Sequence, residues 1–171
     1  RDTGPRTGRG YRQQVEAQIS EIGVGQIASI IGRYGAMDRD SRWERVERAH
    51  ACLTGRRADE LGVRTATTPA EAIDWAYAHP HSETMRGDEF VEPTMIGPDA
   101  RAIERTRIAD GDSVIYYNYR GDRPRELVGA FVLPEFQGST DLKPSPDTGA
   151  LGFDRGPRLD IHFVMMTPYS E

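Results

Sequence analysis

Tyr11, Val15, Ile19 and Ile22 recur at helical spacing, and Gly23 follows where a helix-ending glycine belongs, so the pattern predicts an amphipathic helix over residues 9–22. The run Gln26 to Ile31 is short, apolar and rich in isoleucine and stops at Gly32, which predicts a strand. Ser41 and Glu44 fit a capping box, and Trp43, Val46, His50 and Leu53 mark one face of a helix that runs to about Thr54 and is stopped by Gly55. A second box, Thr68 with Glu71, opens a helix with Pro69 in its first position and an end near Ala78, before Pro80.

From His81 to Asp112 the pattern weakens to loops with a short hairpin at most, its apolar patches being Phe90 to Val91 and Thr94 to Ile96. Ser113 to Asn118 predicts a buried strand, Leu127, Ala130 and Phe131 one face of a helix beginning near Asp122, and His162 to Thr167 a closing strand. Residues 137–160, with four glycines and three prolines, predict a long loop. Strands alternating with helices imply an α/β lobe with a largely parallel sheet and helices on both faces, whose binding edge lies at the carboxyl ends of the strands.

Composition adds little to that picture, and charge adds more. A chain of 171 residues is the size of one domain, and 37% hydrophobic with 29% charged residues does not fit a disordered segment. Nothing approaches the length of a spanning helix or a secretory signal, so no membrane partner and a cytoplasmic home are expected. Cys52 is the only cysteine, which excludes an internal disulfide and suits a buried thiol in a reducing compartment. The net charge of -5 divides unevenly: residues 1–57 carry 11 basic and 7 acidic side chains, the rest 11 and 20. The acidic remainder and the lack of an aromatic-basic stripe argue against nucleic acid as a partner.

The arginines matter through their positions. Arg33 and Arg39 fall in the loop after the Ile31 strand, and Arg120 and Arg123 in the turn that opens the next helix after the Asn118 strand. Guanidinium forks match carboxylate and phosphate oxygens bidentately, so this edge would suit a small phosphorylated acid. The plainer alternative is that the four pair with Asp38, Asp40 and Asp122 at the surface. His79, His81 and Glu83 resemble a metal triad but read better as a solvated loop, and His50 and His162 read as structural.

The wording around these arginines resembles a known family. Gly32-Arg33-Tyr34, Met37-Asp38-Arg39-Asp40 and Arg42-Trp43-Glu44-Arg45-Val46-Glu47 are similar to the G-R-Y-x-x-M-D-R-D-x-R-W-x-R-V-E signature of the cofactor-independent phosphoglycerate mutases. Arg1-Asp2-Thr3 resembles the tail of the family's D-G-R-D-T, Asp88 to Pro93 its D-E-F-V-x-P, Asn118 to Arg123 its N-F-R-P-D-R, and Val164 to Thr167 its closing V-x-M-T strand. Gly121 stands where proline is usual and Gly35 where tyrosine is common.

The resemblance implies an enzyme that interconverts 3-phosphoglycerate and 2-phosphoglycerate through a phosphoserine and two manganese or magnesium ions. Serine and metal ligands belong to a phosphatase-like lobe that these residues do not match. By that resemblance the chain would be part of the inserted lobe that grips the glycerate. Carried over by motif, Arg1, Asp2, Arg33, Arg39, Arg120 and Arg123 would bind substrate, with Asp2 also moving hydroxyl protons as the catalytic acid-base. Because the chain begins inside a motif, the expectation is a truncated or proteolysed piece, inactive and metal-free by itself. A free-standing, non-catalytic anion-binding module is the alternative.

Overall fold

The computed structural model describes residues 3–169. Six helices and five short strands alternate in the order α1 (Gly8–Ile22), β1 (Ser29–Ile30), α2 (Arg33–Ala36), α3 (Trp43–Thr54), β2 (Arg64–Ala66), α4 (Pro69–Ala78), β3 (Thr94–Ile96), α5 (Ala100–Glu104), β4 (Ser113–Tyr116), α6 (Arg125–Val132) and β5 (His162–Met165). The α/β class is the one the hydrophobic pattern implies. The strands nevertheless form two small sheets rather than one: β1-β3-β2, and β4 with β5. Two pairings are parallel, β2 with β3 and β4 with β5, whereas β1 runs antiparallel to β3.

The core lies between α3 and α6. Trp43, Val46 and Ala49 of α3 pack on Leu127, Ala130 and Phe131 of α6, and Phe136, Phe153 and Leu159 close the cluster. The predicted long loop therefore supplies core side chains. Arg155 fixes it from inside, donating to the carbonyls of Ala130 (2.7 Å) and Leu133 (2.6 Å) at the end of α6. Trp43 Nε1 donates to Lys143 O in the same loop, at 2.8 Å.

Several local expectations are corrected. The strand expected at 26–31 is ladder-paired only at Ser29–Ile30, and the buried strand expected at 113–118 is a half-exposed one, with Ile115 69% and Tyr117 76% accessible. Its outward positions carry apolar side chains, which makes an alternating strand read as a continuous apolar run. β2 and α5 had no periodic signal because they span only three and five residues. The Thr68 box is real: Glu71 N donates to Thr68 Oγ1 (3.2 Å) and Glu71 Oε2 accepts from Thr67 N (2.8 Å). The Ser41 box is not, because Ser41 sits at φ 61° and α3 starts from Arg42 without a side-chain cap. The donors before α3 are taken instead by two carboxylates described below.

Candidate functional site

The site grows from the turn after β1. Gly32 has no room for a side chain: a Cβ there would lie 2.4 Å from Glu89 O, and its N–H donates to Val91 O at 2.8 Å. This close approach seats Arg33 beside the Asp88–Phe90 turn, where its Nη2 meets Glu89 Oε2 at 2.7 Å. Phe90 packs at a tilt against the Tyr34 ring, centroids 5.3 Å apart. Asp88 caps α1, accepting from the backbone N–H groups of Thr7 and Gly8, each at 2.9 Å. The Asp88 to Pro93 motif is thus a cradle for the Arg33 turn and for the start of α1. Arg33 lines a hollow of about 440 Å³ with Thr3, Gly4, Arg86 and Glu89. Arg1 and Asp2, the remaining predicted site residues, lie outside the described residues.

The next turn is organised by a buried aspartate. Asp38 is 7% exposed, and its Oδ2 accepts from Asp40 N (2.9 Å) and Arg42 N (3.0 Å) while Arg45 Nη1 lies 3.5 Å from Oδ1. Folding the chain tightly around this carboxylate turns Arg39 outward. Arg39 Nη1 reaches Asp122 Oδ2 at 3.1 Å, and Arg120 holds the same carboxylate with Nη2 at 3.0 Å from Oδ2 and with Nε on Oδ1. Arg123 Nη1 donates to Met37 O at 3.0 Å, back across to the first turn. Arg39, Arg120 and Arg123 are therefore brought together around Asp122 and Met37, whereas Arg33 occupies the neighbouring hollow with Glu89 as partner.

The arginines do pair with carboxylates, as the plainer alternative anticipates, but the pairing is concentrated. Asp122 serves two guanidiniums at once, and the hydrogen bond from Arg120, followed by that from Arg39, holds its carboxyl down to about 2. Behind it lies Glu126, 8% exposed, whose Oε1 accepts from Ser41 N at 2.9 Å and whose buried Oε2 has no hydrogen-bond partner among the described residues. Burial, with Asp38 adjacent, raises its carboxyl to about 7. The sequence named Asp122 as a partner of the arginines but not Glu89, which holds Arg33, nor Glu126, which holds Ser41 N–H. Glu126 left one trace, a carboxylate one helical turn before Ala130 on the buried face.

Among the described residues, no group of three or more His, Cys, Asp or Glu side chains could hold a metal ion. His79 instead stacks on Trp75, centroids 4.6 Å apart, and His81 Nε2 pairs with Glu92 Oε1 at 2.9 Å. No helix among the described residues is long and apolar enough to cross a membrane.

Fold and site together describe a mixed α/β lobe with an arginine-lined edge. The family described as the BPG-independent PGAM N-terminus matches residues 1–171, and the chain belongs to it. The 2,3-bisphosphoglycerate-independent phosphoglycerate mutase of Clostridium perfringens is 41% identical over 172 residues, all of this chain but 28% of the relative. That of Moorella thermoacetica is 41% identical over 170 residues, with 99% and 28% covered. A crystal structure of the Leishmania mexicana phosphoglycerate mutase superposes with a TM-score of 0.73 and 25% identity, over 95% of this chain and 27% of the other. The chain thus spans little more than a quarter of the relatives it matches.

Proposed function

We propose that this chain is the substrate-gripping lobe of a glycolytic, cytoplasmic phosphoglycerate mutase, holding 3-phosphoglycerate and 2-phosphoglycerate while a phosphoserine on another lobe exchanges the phosphoryl group. The observation that carries this is the convergence of two separate turns: Arg39 and Arg120 share the single carboxylate of Asp122, and Arg123 reaches back to Met37 O of the first turn. A site that gathers guanidiniums around one anion is pre-arranged for a second, because the cost of bringing like charges together is met before the ligand arrives. A phosphate or carboxylate of the ligand would replace Asp122, and Arg33 would take the other end from Glu89. Asp2 is assigned the exchange of protons with the glycerate hydroxyls.

The family resemblance implies two divalent metals, yet the described residues offer no ligand set for them, so no step is assigned to a metal on this lobe. The 171 residues alone are accordingly expected to turn nothing over.

Titration of the chain with 3-phosphoglycerate, followed by backbone amide NMR, tests the reading. Saturable shifts are expected at residues 33–42 and 118–126, lost in Arg33→Ala and Arg120→Ala. Shifts scattered over the surface, or undiminished in both variants, would defeat it.

A further inference from the structure

Three bridges join the Arg39 turn to the Arg123 turn. Two use the guanidiniums themselves: Arg39 to Asp122 (3.1 Å) and Arg123 to Met37 O (3.0 Å). An anion that engages these groups must break or weaken both bridges, so the free site is held together by the contacts its ligand removes. The third bridge is different. Ser41 N donates to Glu126 Oε1 at 2.9 Å, both residues are more than nine-tenths buried, and neither end carries a positive charge. The structure accepts a cost to make it, because Ser41 stands at φ 61°, a region that costs a non-glycine residue on the order of 1 kcal/mol.

We infer that Glu126 is the positioning residue of the arginine site, latching the Arg39 turn to the Arg123 turn through Ser41 N–H so that the guanidiniums stay in place when an anion takes them from Asp122 and Met37. The inference rests on the substrate-binding reading above. It also explains the second carboxyl oxygen. Among the described residues Oε2 is buried with no hydrogen-bond partner, and the Asp38 carboxylate bears on the same side chain, which favours a proton on Glu126. The charged groups that bear on it are Asp38 and Asp40 from the turn; Arg42 and Arg45 at the start of α3 hold Asp38, and Asp147 of the long loop holds Arg42. Losing the proton would place two negative carboxylates side by side and loosen the latch. The site should therefore grip anions less well above neutral pH, although a phosphate monoester is then more fully charged.

The test compares the 171-residue chain with Glu126→Gln and Glu126→Leu, using 3-phosphoglycerate as probe and amide NMR with hydrogen exchange as readouts. Glutamine keeps the Ser41 acceptor and offers Asp38 an N–H; leucine keeps the volume and neither bond. In the parent chain the Ser41 amide shift should titrate near neutrality, and in Glu126→Gln it should be flat. Glu126→Gln should match the parent's affinity at pH 6 and exceed it at pH 8.5, whereas Glu126→Leu should lose about tenfold at pH 6, the worth of one hydrogen bond to a buried carboxyl, and less against the parent at pH 8.5. Parent-like affinity in Glu126→Leu, or a Ser41 titration that persists in Glu126→Gln, would overturn the assignment. The second criterion holds even if the leucine variant does not fold. A parent chain that ignores 3-phosphoglycerate would count against the substrate reading instead. The latch would then be judged by Ser41 exchange alone: protection kept in Glu126→Gln and lost in Glu126→Leu supports it, and equal protection in all three sinks it.

Discussion

His50 lies between the rings of Phe131 and Phe153, centroids 4.8 and 5.5 Å away, and burial, then Arg56 and Arg155, push its pKa down to about 4. A depressed histidine is neutral in the fold and protonates more readily once unfolded. Its contribution is present above about 6.5 and is lost as pH falls towards 4, at roughly 3 kcal/mol for the full range. Urea melts between pH 7 and 4 should lose less stability towards acid in His50→Leu than in the parent chain. Glu126 works in the opposite sense, since a raised carboxyl favours the fold at low pH and ceases to do so as pH rises towards about 7. The melts should therefore be steepest in Glu126→Gln, where only the histidine is left to oppose acid. Asp122 gives a third outcome. Asp122→Asn removes the resident anion while leaving Arg39, Arg120 and Arg123 in place, so calorimetry should find tighter binding of 3-phosphoglycerate and a steeper dependence on salt.

Among elements, the segments that aim the arginines are held by contacts too close for a Cβ. At Gly87, φ is 91° and a Cβ would fall 2.0 Å from Pro5 O; at Gly32 it would fall 2.4 Å from Glu89 O. Alanine at either position should cost on the order of 2–4 kcal/mol in thermal or urea melts. Gly121 has ordinary clearance, its nearest neighbour being Pro168 O at 3.6 Å, so Gly121→Ala should be tolerated and stabilise by about 0.5 kcal/mol through the unfolded chain. These elements also show how far sequence could be read. α3, α4 and α6 are long enough to repeat their apolar face, and the Thr68 cap is made by neighbours in sequence, so both were legible. Ser41 offered the same local signature, yet its N–H is claimed by Glu126, 85 residues away, and the neighbouring donors by Asp38. The arginines were legible because a motif names them. Asp122 was legible as a partner because it sits two residues from Arg120, whereas Glu89 was not, because its pairing with Arg33 depends on a contact 56 residues apart.

At the scale of the whole molecule, two apolar surfaces are uncovered. Tyr11, Val15 and Ile22 of α1 are 53%, 48% and 68% exposed, and Ile115, Tyr117 and Tyr119 on and after β4 are 69%, 76% and 65% exposed. Patches of this kind promote association. Sedimentation should show concentration-dependent self-association of the 171-residue chain, reduced by Ile115→Thr with Tyr117→Ser at little cost in stability. The two sheets carry a consequence of a different kind. None of the pairings among the described strands is a hairpin: β4 must wait for β5, about fifty residues later, and β1 for β3, about sixty-five later. On the ribosome, β4 would emerge and remain single for several seconds of translation before its mate is synthesised. During that interval its exposed edge is an opening for chaperones and for mispairing alike.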